Sequence, residues 1–410
     1  MDAISYSYAD KQAKRIKKFI NNPDSDSGIV TVPKVIGAGE NVTVPAGRIA
    51  ILPNVEVNGT LNVEGEVFIP SGATSADLES KIAQRSEKLT SNITVNVGPN
   101  EAYKTINEAL EYLTQFYPVY KQSGITATIN LKAGFVMAEQ VLVSGIDLGW
   151  ITIVGEDAET IITHTALTTA FYGSYPVFGV DKGGTSPIIG QLFRFNVEKV
   201  GGGKHGLMTF GAGSGANILS GKGFIGAGTH GIVAAQGSAI NANGANASNA
   251  GAFGVYADGG STINATSATA SNAGANGIVA TAGSTINAGS ANCSNARTFG
   301  IYADISATIN ANGANASNAG SSGIYADFGA TINSPYVNAS NAGSSGMYAG
   351  VRSTINAFQA LIQNQTTGTF RIVVSYGSTI EAAGINTTGG TVPVFSQTVN
   401  TLTSNGIIYQ

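Results

Sequence analysis

The sequence predicts an all-β chain, most of it a right-handed, single-stranded parallel β-helix turning about every 23 residues. Three observations predict it. The tripeptides Ala239-Ile240-Asn241, Thr262-Ile263-Asn264, Thr285-Ile286-Asn287, Thr308-Ile309-Asn310, Thr331-Ile332-Asn333 and Thr354-Ile355-Asn356 recur at a constant spacing of 23. Gly231, Gly254, Gly277, Gly300, Gly323 and Gly346 keep the same interval, as do Asn249, Asn272, Asn295, Asn318, Asn341 and Asn364. Each repeat also holds three short alternating runs separated by Gly, Asn and Ser, with no helical period, so the runs are strands. One coil cannot bury its own apolar face, but coils stacked about 4.8 Å apart can. A leucine-rich repeat would need an LxxLxL pattern, which the sequence lacks.

Within a repeat, the first run carries Ile232, Val255, Ile278, Ile301, Ile324 or Met347 at its second position and Ala at its fourth. Side chains alternate across a strand, so these point inward and the third and fifth positions face outward. The isoleucine of the recurring tripeptide supplies the inward residue of the second run, and alternate alanines such as Ala314 and Ala316 supply it in the third. Cys293 occupies the slot held elsewhere by Ala247, Ala270, Ala316 and Ala339, which reads as a buried structural thiol. It has no partner in its own chain, which excludes a disulfide framework and a thiolate zinc site. The repeated asparagines are expected to stack as amide ladders.

Open solenoid ends require covers. The helical stripe Ile106, Ala109, Leu110 and Leu113, capped by Thr105 or Asn107, fits a cap over residues 92–124, ahead of a β-helix spanning 125–385. A terminal β cap is expected over 386–410. Residues 1–74 form an N-terminal β region in which Asn58-Gly59 suggests a hairpin or short β prism. Between them, 75–91 places Leu78, Ile82, Arg85 and Leu89 on a short heptad seam, too short for a lone helix and so implying partners. The basic run Lys11, Lys14, Arg15, Lys17 and Lys18 is either a solvated face or a docking peg for an acidic socket.

The composition narrows function. With 21 basic and 25 acidic residues, the net charge of -4 argues against a broad nucleic-acid footprint. The N-terminus lacks the apolar run of a signal peptide, and no stretch reaches the roughly 20 apolar residues of a membrane span. Synthesis in a cytosol and no membrane insertion are expected. The regular coils offer three acids, Asp258, Asp304 and Asp327, all at the outward fifth position. Asp304 and Asp327 stand one coil apart, and Asp258 and Asp304 two, or about 4.8 and 9.6 Å between backbones. Those separations loosely span retaining and inverting glycosidase geometries. A shallow outward ladder gives little burial to tune an acid, so these are weak catalytic candidates.

Tyr256, Tyr302, Tyr325 and Tyr348 form an outward stripe two residues before the fifth position. Aromatic faces flanked by acids suit sugars, and the same stripe suits burial against another subunit. His205 and His230 are too few for a metal site. Gly201-Gly202-Gly203-Lys204 lacks the P-loop spacing and reads as a turn. No metal or cofactor is expected.

The order of an N-terminal β segment, a short neck, a cap carrying KTINEAL (Lys104 to Leu110), WITIVGED (Trp150 to Asp157) and β-helical coils resembles bacteriophage tailspikes and tail fibres with pectin-lyase-like β-helices. The ending NTLTSNGIIYQ (Asn400 to Gln410) is similar to their C-termini. The resemblance implies a homotrimer in the virion tail, docked to tail or baseplate proteins through its N-terminal region, with its β-helix meeting a host-surface polysaccharide. It brings no catalytic motif. The expected function is receptor binding. The alternative is a depolymerase, a glycoside hydrolase or lyase acting on capsule or O-antigen. An ice-binding solenoid, prompted by the outward Thr and Asn, is the reading from a third class.

Overall fold

The computed structural model describes residues 87–117, 124–364 and 371–386 throughout, with short strands between 29 and 68 and at 395–396 and 407–409. The chain divides into two compact units, residues 1–88 with 115–117 and residues 89–114 with 118–410. The neck residues Leu78, Ile82 and Arg85, and the basic run from Lys11 to Lys18, lie outside the described residues.

In the smaller unit, Ile29–Val30, Ile49–Ile51 and Glu66–Phe68 form one parallel sheet. Val35–Ile36 pairs with Glu56–Val57, and Asn41–Val44 with Thr60–Val63, both in parallel. The strands on either side of Asn58-Gly59 therefore pair with earlier strands rather than with each other, which corrects the hairpin of the two expected alternatives. Glu87–Lys88, at the end of the expected neck, is a strand paired in parallel with Phe116–Tyr117.

The larger unit is a parallel β-helix with three faces. The long face is an eleven-stranded sheet running from Val141–Ser144 to Phe395–Ser396. The second face begins as a four-stranded sheet of Ile93–Val97, Ala127–Leu131, Ile151–Gly155 and Ile188–Ile189, and continues as the nine-stranded sheet that carries the recurring tripeptide. The third is four-stranded in the early coils and thereafter one bridge per coil, such as Asn246 to Thr269 and Thr269 to Asn292. Coils stack in register, with Thr308, Ile309 and Asn310 paired to Thr331, Ile332 and Asn333. The winding starts at Ile93, inside the segment expected to be cap alone. It continues through Ile407–Tyr409, which joins Thr379–Glu381 in parallel where a separate terminal cap was expected.

The capping helix α1, Ile106–Leu113, buries Ile106, Ala109, Leu110 and Leu113, the stripe read from the sequence. Thr105 is its N-cap: its Oγ accepts from Glu108 N–H at 3.1 Å while the Glu108 carboxylate accepts from Thr105 N–H at 3.2 Å. Glu139, a residue of the next coil, accepts from the Ile106 and Asn107 N–H groups at 2.6 and 3.1 Å, joining helix to solenoid.

The inward columns are as expected: Ile232, Ala234, Val255, Ala257, Ile278 and Ala280 are fully buried, as are Ile309 and Cys293. The 23-residue glycine interval has a steric cause. A Cβ at Gly254 would lie 2.5 Å from the Ala270 Cβ and 2.9 Å from the Gly277 carbonyl oxygen. The second asparagine series answers a backbone demand: Asn249, Asn272, Asn295, Asn318, Asn341 and Asn364 all have φ between 54° and 60°. After glycine, asparagine tolerates that conformation best.

Candidate functional site: an outward ladder of tyrosine and aspartate

On the long sheet the register aligns Val233, Tyr256, Val279, Tyr302, Tyr325 and Tyr348 in one outward column. The spacing of coils is close to that of stacked rings, so the tyrosines form a ladder. Tyr325 and Tyr348 stack with centroids 4.7 Å apart and planes 3° from parallel, and Tyr302 meets Tyr325 edge-on at 5.4 Å. Phe299, just before the coil-starting Gly300, stacks on Tyr325 at 4.5 Å. Tyr256 is set apart by Val279 and belongs to a second aromatic group with Phe253 and His230, at 5.4 and 5.3 Å.

The aspartates stand beside the ladder. The Tyr302 hydroxyl donates to Asp304 Oδ2 at 2.8 Å, and that of Tyr325 to Asp327 Oδ2 at 3.3 Å. The other oxygen of each carboxylate accepts the next backbone N–H, that of Ile305 or Phe328, both at 2.9 Å. Burial first, and the neighbouring carboxylates second, push the Tyr302 and Tyr325 hydroxyls well above their ordinary pKa; Tyr256, beside Asp258, is pushed up to about 12. These hydroxyls therefore remain protonated donors. Asp304 and Asp327, with both oxygens already accepting, are built as acceptors. Gly350, next in the aspartate column, leaves room for its neighbours: a Cβ there would lie 2.6 Å from Asp327 Oδ1.

Two residues that the sequence reading passed over border this site. Ile305 and Phe328 have φ of 47° and 46° and are 53% and 57% exposed. Bulky side chains in left-handed backbone cost on the order of 1–3 kcal/mol. Other coils place Gln236, Gly259, Ala282, Val351 or Tyr376 at the corresponding position, so the turn accepts residues of any size and the sequence gives no signal that marks the pair.

Toward the early coils a loop of the same chain lies on this face. Phe171 packs with Met208 and Val233. The Tyr172 ring stacks on Phe210 at 3.7 Å, and its hydroxyl donates to Asp181 Oδ2 at 3.0 Å, repeating the tyrosine–aspartate pairing.

The histidines serve stacking. The rings of His205 and His230 lie 4.8 Å apart. His205 Nδ1 accepts from His230 N–H, and His230 Nδ1 from Phe253 N–H, both at 3.2 Å. Burial pushes their pKa values down to about 3 and about 4, so both are neutral near pH 7. Among the described residues no three His, Cys, Asp or Glu side chains gather to hold a metal ion. Gly201, Gly202 and Gly203 form a left-handed turn, and Lys204 Nζ donates to the Leu167 carbonyl at 2.9 Å. Burial raises the Cys293 thiol far above its ordinary range, leaving it unreactive.

No family model and no curated protein matches the chain. Among solved structures it is similar to the mannuronan C-5 epimerase AlgE4 A-module of Azotobacter vinelandii, with a TM-score of 0.40 and 12% identity over 71% of this chain and 92% of that one.

Proposed function

We propose that this chain is a receptor-binding solenoid of the phage tail-fibre or tailspike kind, whose Tyr302, Tyr325 and Tyr348 ladder holds a host-surface polysaccharide without cleaving it. The observation that carries the reading is the tyrosine column one ring per coil, with Tyr325 stacked on Tyr348, Tyr302 edge-on to Tyr325, and the Tyr302 and Tyr325 hydroxyls fixed by Asp304 and Asp327. The outer edges of the stacked rings pack on the C–H surfaces of sugars, while the hydroxyls and carboxylates exchange hydrogen bonds with sugar hydroxyls. A sugar chain lying along the solenoid axis meets a similar set at successive coils. Carboxylates whose two oxygens both accept hydrogen bonds favour recognition over proton donation.

The homotrimer and the attachment of the N-terminal region to a virion tail belong to the same proposal. The exposed apolar ridge of Ile305 and Phe328 supports self-association, because strained, solvent-facing apolar residues gain nothing within one chain. Incubation with bacterial surface polysaccharides followed by a reducing-end assay tests the reading. The expected result is retention of the polysaccharide with no new ends. Ends released by the wild type but not by Asp304→Asn would overturn it in favour of the depolymerase.

A further inference from the structure

A second polar ladder, on another face, ends in a way that builds a site. The tripeptide asparagines form two runs of amide bonds, broken between Asn264 and Asn287, in which a side chain donates to the coil before it. Asn241 donates to Asn217 at 3.0 Å, Asn264 to Asn241 at 3.2 Å, Asn310 to Asn287 at 2.9 Å, Asn333 to Asn310 at 2.9 Å and Asn356 to Asn333 at 2.6 Å. The next residue in register is Glu381, paired with Asn356. A carboxylate carries no N–H, so it cannot continue the amide series, and among the described residues Asn356 Oδ1 receives no bond. Two acceptors at successive register positions suit a donor from outside.

The surroundings say which donor. Asn333, Pro335, Asn356, Ala357, Phe358 and Glu381 line a groove of about 390 Å³, within the range of small-molecule sites. Phe358 is 46% exposed, and Tyr336, 55% exposed, meets it edge-on at 5.8 Å. Tyr336 holds this place at φ 58°, where earlier coils have Ser267, Ser290 and Gly313. An aromatic side chain is thus kept in solvent at a position that favours small residues. Among the described residues Glu381 makes no ion pair. Exposed aromatic rings near a carboxylate without an ion pair and an amide oxygen without a donor, both among the described residues, match a cation that also bears N–H bonds.

We infer that this groove binds the primary ammonium of an amino sugar, with the nitrogen between Asn356 Oδ1 and the Glu381 carboxylate and the sugar ring against Phe358 and Tyr336. The site is separate from the tyrosine ladder and does not rest on it. A quaternary ammonium has no N–H to give the two acceptors, and a neutral sugar has no charge to offset Glu381.

Isothermal titration of the full chain with glucosamine, choline and glucose at neutral pH and low salt tests the assignment. Glucosamine should bind, with choline weaker by about tenfold and glucose giving no saturable heat. Both Glu381→Gln and Phe358→Ala should weaken glucosamine by about tenfold, and neither exposed substitution should disturb folding. Val197→Ala, an exposed residue of the early coils that belongs to neither site, should leave the affinity unchanged. Glucose binding as well as glucosamine, choline binding as well as glucosamine, no binding at all, or loss of glucosamine in Val197→Ala would each overturn the inference.

Discussion

The coils before Gly231 and those after it meet the same packing demand with different residues. The early coils use strands of up to five residues and a phenylalanine core, in which the buried rings of Phe178, Phe193 and Phe224 lie 5.5 to 5.8 Å apart. They also cover their own outer face with Phe171 and Tyr172. The later coils use strands of three or four residues and columns of isoleucine and alanine, and Tyr325 and Tyr348 are half-buried on their outer face. Repetition makes the difference. Once identical residues hold each coil in register, the outward third, fifth and sixth positions are free to vary, and there the chain places its aromatic, acidic and strained apolar residues.

The comparison can be tested by substitution, starting where disruption should be greatest. Ile309→Asp puts an unpaired charge in a fully buried column and should cost about 5 kcal/mol or more, read from denaturant unfolding; an unchanged midpoint would place Ile309 outside the core. Phe193→Ala should cost about 3–5 kcal/mol through a cavity that the stacked rings cannot close. A loss below that of a typical Ile→Val change would mean that the early core is loosely packed.

Acid should weaken the junction between the two regions. His205 and His230 titrate near 3 and 4 when folded and near 6.5 when unfolded. Below pH 6.5 the unfolded chain therefore binds more protons. Their contribution is complete above that pH and is lost as pH falls toward 4, by on the order of a few kcal/mol. Asn276 stands in the same column and accepts Phe299 N–H at 3.1 Å, as His230 accepts Phe253 N–H. His230→Asn should therefore keep the bond and flatten the dependence of Tm on pH. A variant as acid-sensitive as the wild type would clear His230. The smallest effect is expected at the left-handed corner: Asn318→Ala should cost about 1 kcal/mol and Asn318→Gly less, because only the alanine meets strain at φ 56°.

Much of this was legible in the sequence. A strict interval fixes the register, so the inward columns, the buried Cys293 and the outward placement of Tyr302 and Asp304 follow from alternation alone. The apolar stripe of α1 was equally plain. Periodicity has nothing to say about residues outside the repeat, and the cover by Tyr172 and the cap from Glu139 escaped for that reason. Phe299 joined the tyrosines only once the coil corner placed its ring on the long face. The partners of the strands flanking Asn58-Gly59 were misread because alternation identifies a strand without naming its neighbour. Tyr336 sits where earlier coils have Gly244, Ser267, Ser290 and Gly313, and that departure from the pattern was the more informative signal.

The most direct test is glycan-array binding of the wild type against Tyr302→Ala/Tyr325→Ala/Tyr348→Ala, both checked for equal melting temperature. The tyrosine-ladder reading predicts that the wild type retains a bacterial surface polysaccharide and that the triple variant loses it. An identical binding profile for the two proteins would contradict it.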